Sequence, residues 1–127
     1  MNLLAVDTSG PNGAVGLGID GKTVAETLFS CHETYSARLL PVIDSILKEN
    51  NLSVDVIDMF GVVIGPGSFT GLRVGLATIK GLAWANQKPM VGISSLEVLA
   101  HNLRNTRKPI IPMLDARKQR VYGAIYQ

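Results

Sequence analysis

An α/β architecture, a mixed five-stranded sheet with helices on both faces, is what the residue pattern of this chain dictates. One sign is the opening, where three short apolar segments are separated by turn residues (Leu3–Val6, Ala14–Ile19, Thr23–Phe29). Another is the run Val62–Ala83, which reads as a buried strand, a glycine-rich turn and a helix almost without charge. A third is the alternation of helix-length and strand-length apolar patterns that follows the opening, the mark of parallel pairing.

Taken in order, Leu3–Val6 and Ala14–Ile19 flank a turn at Ser9-Gly10-Pro11-Asn12-Gly13. Asp20-Gly21 is a strong two-residue hairpin signal, so Thr23–Phe29 returns as a third antiparallel strand. Tyr35–Glu49 has helical periodicity, with Leu39, Ile43, Ile46 and Leu47 on one stripe and Leu40 and Val42 beside it. Ser36 is its expected cap, and Pro41 interrupts it early. Met59–Ile64 is a continuous apolar run, as a strand covered on both faces requires. Gly65-Pro66-Gly67 stops it, and Ser68 or Thr70 can cap a helix beginning near Phe69–Gly71. Met90–Ile93 is a short strand, Ser94 or Ser95 caps a helix to about Leu103, and Ile110–Leu114 and Val121–Tyr126 are two more strands. A meander followed by helix–strand–helix–strand is the order of a ribonuclease-H-like half-domain, the unit of actin and hexokinase. Residues 1–108 would form such a half, and 109–127 the opening hairpin of a second, truncated one.

The second helix is peculiar. At about 100° per residue, Leu72, Leu76, Ile79, Leu82 and Ala83 make a sheet-covering face, and Gly71, Val74, Gly75, Thr78 and Gly81 a stripe of small residues. A glycine within a helix costs roughly 1 kcal/mol relative to alanine. Something must therefore pack close to it: the chain's own sheet, or another chain on the far side. Phosphate binding is poorly supported, since Gly65-Pro66-Gly67-Ser68-Phe69-Thr70-Gly71 fits neither nucleotide-loop pattern and lacks their lysine.

Composition bounds the rest. The chain has 127 residues, 46% hydrophobic and 17% charged, with a net charge of +2. That suits one cored domain and is too weakly basic for a dedicated nucleic-acid binder. The single cysteine, Cys31, forms no internal disulfide and fits a reducing compartment. No basic leader precedes the first apolar run, which Asp7 breaks, and no stretch reaches the roughly 20 apolar residues of a membrane span. A cytoplasmic location is the expectation.

Candidate chemistry is sparse. Asp7, followed by Thr8-Ser9-Gly10, stands where a carboxylate could direct a nucleotide's metal or phosphate, although the same pattern makes an ordinary Asx turn. His32-Glu33 lacks a second histidine at Ser36, and no Gly-x-Ser-x-Gly elbow is present, so a peptidase is not expected. His32 and His101, the only histidines, are far apart in sequence and read as surface or satisfied polar groups. Six of the twelve Lys and Arg residues fall between Arg104 and Arg120. They could touch a nucleic-acid backbone or merely solvate a loop and a hairpin tip.

The stretch Gly65–Ala83 closely resembles the signature of the TsaB (YeaZ) family, partner subunits in bacterial tRNA threonylcarbamoyladenosine synthesis. Leu3–Ser9, Pro41–Asp44, Gly92–Glu97, Asp115–Arg117 and Val121-Tyr122 resemble it as well. This resemblance implies a non-catalytic subunit with no cofactor or metal of its own. It would bind and activate TsaD, acting with the ATPase TsaE in moving threonylcarbamoyl onto N6 of adenosine 37 of tRNAs reading codons that begin with A. Contact with tRNA would be indirect, and the chain alone would homodimerise. Leu39, Ile43, Arg73, Val74, Ala77 and Trp84 are the expected interface. In TsaD a His-x-x-x-His pair binds the metal after the strand that Met90–Ile93 resembles; Ser95 and Leu99 stand in those places here. The competing readings are a small actin-fold ATPase or kinase-like enzyme using Asp7 and the glycine loop, and a direct tRNA-binding module.

Overall fold

The computed structural model describes residues 1–30 and 35–127; Cys31 and His32 lie outside the described residues. Strands β1 (Asn2–Asp7), β2 (Asn12–Ile19) and β3 (Lys22–Ser30) form the antiparallel meander. Its second turn places Asp20 and Gly21 at φ 49° and 78°, the paired positive angles that make Asp-Gly a hairpin turn. Helix α1 (Tyr35–Glu49), strand β4 (Met59–Gly65), helix α2 (Phe69–Ala85), strand β5 (Met90–Ser94) and helix α3 (Ser95–His101) follow. The sheet order is β3-β2-β1-β4-β5, with β1 parallel to β4 and β4 parallel to β5. Strands β6 (Met113–Asp115) and β7 (Val121–Gly123) pair separately as an antiparallel hairpin, extended at its base by an Ile110–Tyr126 bridge.

Some bounds differ from the sequence expectation. A short 3-10 turn at Val54–Val56 leads into β4. Helix α1 already begins at Tyr35, so Ser36 lies within its first turn rather than capping it. The last two strands are shorter than expected, because only three residue pairs of each stay in ladder register.

Alternation decides which face is which. Leu4 and Val6 of β1, Val15 and Leu17 of β2, and Phe60 and Val62 of β4 point to one face. There they meet Leu39, Ile43, Ile46 and Leu47 of α1 and Ile79 and Ala83 of α2 in one continuous core. Helix α3 packs on β4 and β5, and its Val98 lines a groove with Ala5, Val63 and Ile93, which alternate to the opposite face. Helices thus lie on both faces.

The inner side of α2 is centred on Gly71, Gly75, Ile79 and Ala83; Leu72, Leu76 and Leu82 are only partly buried at its margins. The reason is the end of β1. Thr8 is fully buried and donates its hydroxyl to the Gly71 carbonyl at 2.6 Å. A Cβ at Gly71 would run into the Thr8 carbonyl and the Tyr35 ring, and one at Gly75 into the Thr8 hydroxyl. Gly81 is different: it is exposed, and among the described residues a Cβ there would meet nothing within 4 Å. The chain's own packing therefore explains Gly71 and Gly75 but not Gly81.

Three substitutions separate these roles in urea unfolding. Gly75→Ala should destabilise by about 1–3 kcal/mol, because Thr8 must move. Gly81→Ala should stabilise the isolated chain by roughly 0.5–1 kcal/mol through helix propensity alone. Thr8→Val keeps the shape and loses the hydrogen bond, which should cost about 1 kcal/mol.

Candidate functional site: the glycine loop and the outer face of helix α2

The loop joining β4 to α2 is built against the end of β1. Gly65 has φ 110°, a backbone angle that residues with a side chain rarely adopt. Ser68 donates its amide to the Ser9 carbonyl at 2.7 Å, and a Cβ on Gly67 would strike Ser9. The Ser68 hydroxyl caps α2 by accepting from the Gly71 amide at 3.2 Å; Thr70 is not the cap. Tyr35, at the start of α1, donates its hydroxyl to the Gly10 carbonyl and sets its ring edge-on to Phe29. Gly65, Pro66, Gly67, Ser68, Phe69, Thr70 and Gly71 thus fasten three segments together: the end of β1, the head of α1 and the head of α2.

An open cleft of about 970 Å³ lies over this junction. One wall is Pro66–Gly71 with Ser9, Gly10 and Tyr35; the other is Leu114–Arg117 and Tyr122 of the hairpin. Asp7 does not line it. Its carboxylate accepts from the Ser9 amide at 2.9 Å and the Ser9 hydroxyl at 2.6 Å, closing an Asx turn. The structure therefore places Asp7 in a local structural bond, at the base of the meander turn.

The outer side of α2 has a different character. Phe69 is 69% exposed and Trp84 86% exposed, both unusual for large aromatic side chains. The Arg73 guanidinium stacks on the Phe69 ring, 4.1 Å from its centre. Ala77, Lys80 and Gly81 are exposed between that pair and Trp84. Phe69, Arg73, Ala77, Gly81 and Trp84 are spaced three or four residues apart, so they form one stripe along the helix. Aromatic residues and arginine are the types that dominate association energy when buried between proteins.

Four of the six residues expected at the interface fall on or beside this stripe. Arg73, Ala77 and Trp84 are exposed; Val74 is half-buried at its edge and packs partly on the core. Leu39 and Ile43 do not belong there. They are 1% and 3% exposed and face the sheet, because the most apolar stripe of an amphipathic helix turns to its own core. Among the exposed residues of α1, Leu40, 52% exposed, and Pro41 are apolar. Leu40 belongs to the second apolar set of α1, apart from the core stripe; nothing in the sequence distinguishes Gly81 from the packed glycines.

Ser95 and Leu99, expected from the resemblance to stand in the places of a metal-binding histidine pair, lie on α3. Ser95 is buried in its first turn, and Leu99 is exposed one turn on. Among the described residues, no three His, Cys, Asp or Glu side chains stand close enough to share a metal ion.

The family model described as TsaD, tRNA N6-adenosine threonylcarbamoyltransferase, matches residues 30–127. The chain is 35% identical, over its whole length, to the tRNA threonylcarbamoyladenosine biosynthesis protein TsaB of Bacillus subtilis, covering 56% of that protein. It is 36% identical to the TsaB protein of Escherichia coli, again over its whole length and 55% of the relative. Among solved structures, YeaZ from Pseudomonas aeruginosa superposes with a TM-score of 0.89 at 31% identity, over 99% of this chain and 60% of that one. The chain thus spans little more than half the length of these relatives. With the mixed sheet, the helices on both faces and the glycine loop, these matches fix the ribonuclease-H-like, actin-type fold. The chain belongs to the TsaB family of tRNA threonylcarbamoyladenosine biosynthesis proteins.

Proposed function

We propose that this chain belongs to a non-catalytic subunit that holds TsaD in its active arrangement through the outer faces of α1 and α2. The observation that carries the reading is the stripe Phe69–Arg73–Ala77–Gly81–Trp84. It combines exposed aromatic surface with a glycine that no packing contact among the described residues requires. A helix face of that composition gains from being covered, and Gly81 would let a partner helix approach closely. The transferase TsaD would carry the metal and the chemistry, and TsaE the ATPase step. Together they would transfer threonylcarbamoyl to N6 of adenosine 37 of tRNAs reading codons that begin with A. In the absence of TsaD, a second copy of the chain would cover the same stripe.

Two observations favour a supporting role over catalysis. Leu99 has no donor atom for a metal, and Ser95 is a poor ligand without partners. The glycine loop spends Gly67 and Gly71 on contacts with β1 and α1. The loop then serves to hold the helix pair rather than a nucleotide. The enzymes of the pathway act on tRNA, so the cytoplasm is the natural place for this subunit. No described helix is long and apolar enough to cross a membrane.

The test is a charge on the exposed stripe. Ala77→Glu, at a solvent-facing position, should change unfolding stability by no more than about 0.5 kcal/mol. It should weaken association with the TsaD homologue at least about tenfold, roughly 1.4 kcal/mol, as read by light scattering. The same variant should fail to restore the modified adenosine in cells lacking the native subunit. Trp84→Ala should behave likewise. Val74 is a poorer probe, because its partial contact with the core would confound folding with binding. A folded Ala77→Glu chain that still binds TsaD and restores the modification would overturn the reading.

A further inference from the structure

We infer that the hairpin β6–β7 and the loop leading into it form a cationic surface that contacts the phosphate backbone of RNA. Charge is segregated along the chain. Arg104, Arg107, Lys108, Arg117, Lys118 and Arg120 are six of its twelve cations, yet the same stretch to the terminus holds one of its ten acids, Asp115. All six are exposed. Among the described residues none of them pairs with a carboxylate, whereas Lys48 and Lys88 elsewhere do, with Asp44 and Asp58. The lone acid is also engaged: Asp115 accepts from the Arg117 amide at 2.7 Å.

The hairpin tip is held in an uncommon shape. Arg117, Lys118 and Gln119 have φ 62°, 51° and 58°, three consecutive left-handed residues without a glycine. Each such residue costs of order 1 kcal/mol or more. The turn is closed by the Ala116 amide on the Arg120 carbonyl at 2.9 Å and the Arg120 amide on the Arg117 carbonyl at 3.1 Å. Three cations are thereby fixed on one tight turn. At the other end, the Ile110–Tyr126 bridge brings Arg107 and Lys108 to the hairpin base. The cations are thus strung over roughly 20 Å at about 3.3 Å per strand residue, a length that passes several phosphates of an RNA strand. A run of cations without carboxylate partners among the described residues, and without an aromatic stacking platform, suits backbone contact without sequence reading. This goes beyond the scaffold role and rests on it only for the choice of tRNA as the RNA.

The experiment uses the full chain and unmodified tRNA, with fluorescence anisotropy followed from 50 to about 200 mM salt as the range over which backbone contacts weaken most visibly. Wild type should bind with a log–log salt slope of roughly −3 to −5. The triple variant Arg117→Asn, Lys118→Asn, Arg120→Gln removes three charges, and asparagine tolerates the left-handed backbone. It should lower the slope by about 2–3 and the affinity at 50 mM salt at least about tenfold. Lys22→Gln with Lys48→Gln should change neither. The triple variant should still associate with the TsaD homologue, and Ala77→Glu should still bind tRNA, so the two proposals fail separately. Absence of salt-dependent binding by wild type would overturn the inference. So would unchanged binding by the folded triple variant, or binding to phosphatidylserine vesicles without binding to tRNA.

Discussion

The contact on which the rest of the structure depends is the approach of α2 to the end of β1. Thr8 sits at zero exposure between them, its hydroxyl bonded to the Gly71 carbonyl and its side chain filling the space that a Cβ on Gly75 would take. Backbone-to-backbone proximity of this kind is available only to glycine, and it fixes where α2 lies. Once α2 is set, Ile79 and Ala83 reach the core, and α1 packs beside it through Tyr35 and Gly71. The glycine-rich loop is best understood as the fastening for this arrangement. Its Ser68 amide and Gly67 are tied to Ser9, just as Asp7 closes the turn below.

Fixing one side of α2 leaves the opposite side exposed among the described residues. That side carries the Phe69–Arg73 stack, Ala77, Gly81 and Trp84. The inner face of the helix is committed to β1, and its outer face exposes two aromatic rings and small residues with few charges. This division resolves the ambiguity of the glycines, since two serve the chain's own packing and one does not.

The elements were legible because their signals are local. Asp20-Gly21 dictates its turn, the run Met59–Ile64 is too apolar for anything but a central strand, and α1 spans the residues its periodicity marks. The faces were less legible. Leu39 and Ile43 belong to the strongest apolar stripe of α1, and periodicity shows that a stripe exists without showing what it meets. Periodicity likewise placed Leu72 and Leu76 at the centre of the inner face of α2. The approach to Thr8, a contact between residues 63 positions apart in sequence, rotated that centre to Gly71 and Gly75. The tight left-handed tip at Arg117–Gln119 had no signal at all, since none of its residues is a usual turn former.

Because Trp84 is the sole tryptophan and lies on the outer stripe, its fluorescence reports directly on whether that face is covered. In dilute solution the indole should emit as a solvated ring and be quenched freely by iodide. Stoichiometric addition of the TsaD homologue should shift the emission to shorter wavelength and protect the ring. A complex that forms while Trp84 stays as solvated and as quenchable as before would contradict the account, because the partner would then be bound elsewhere.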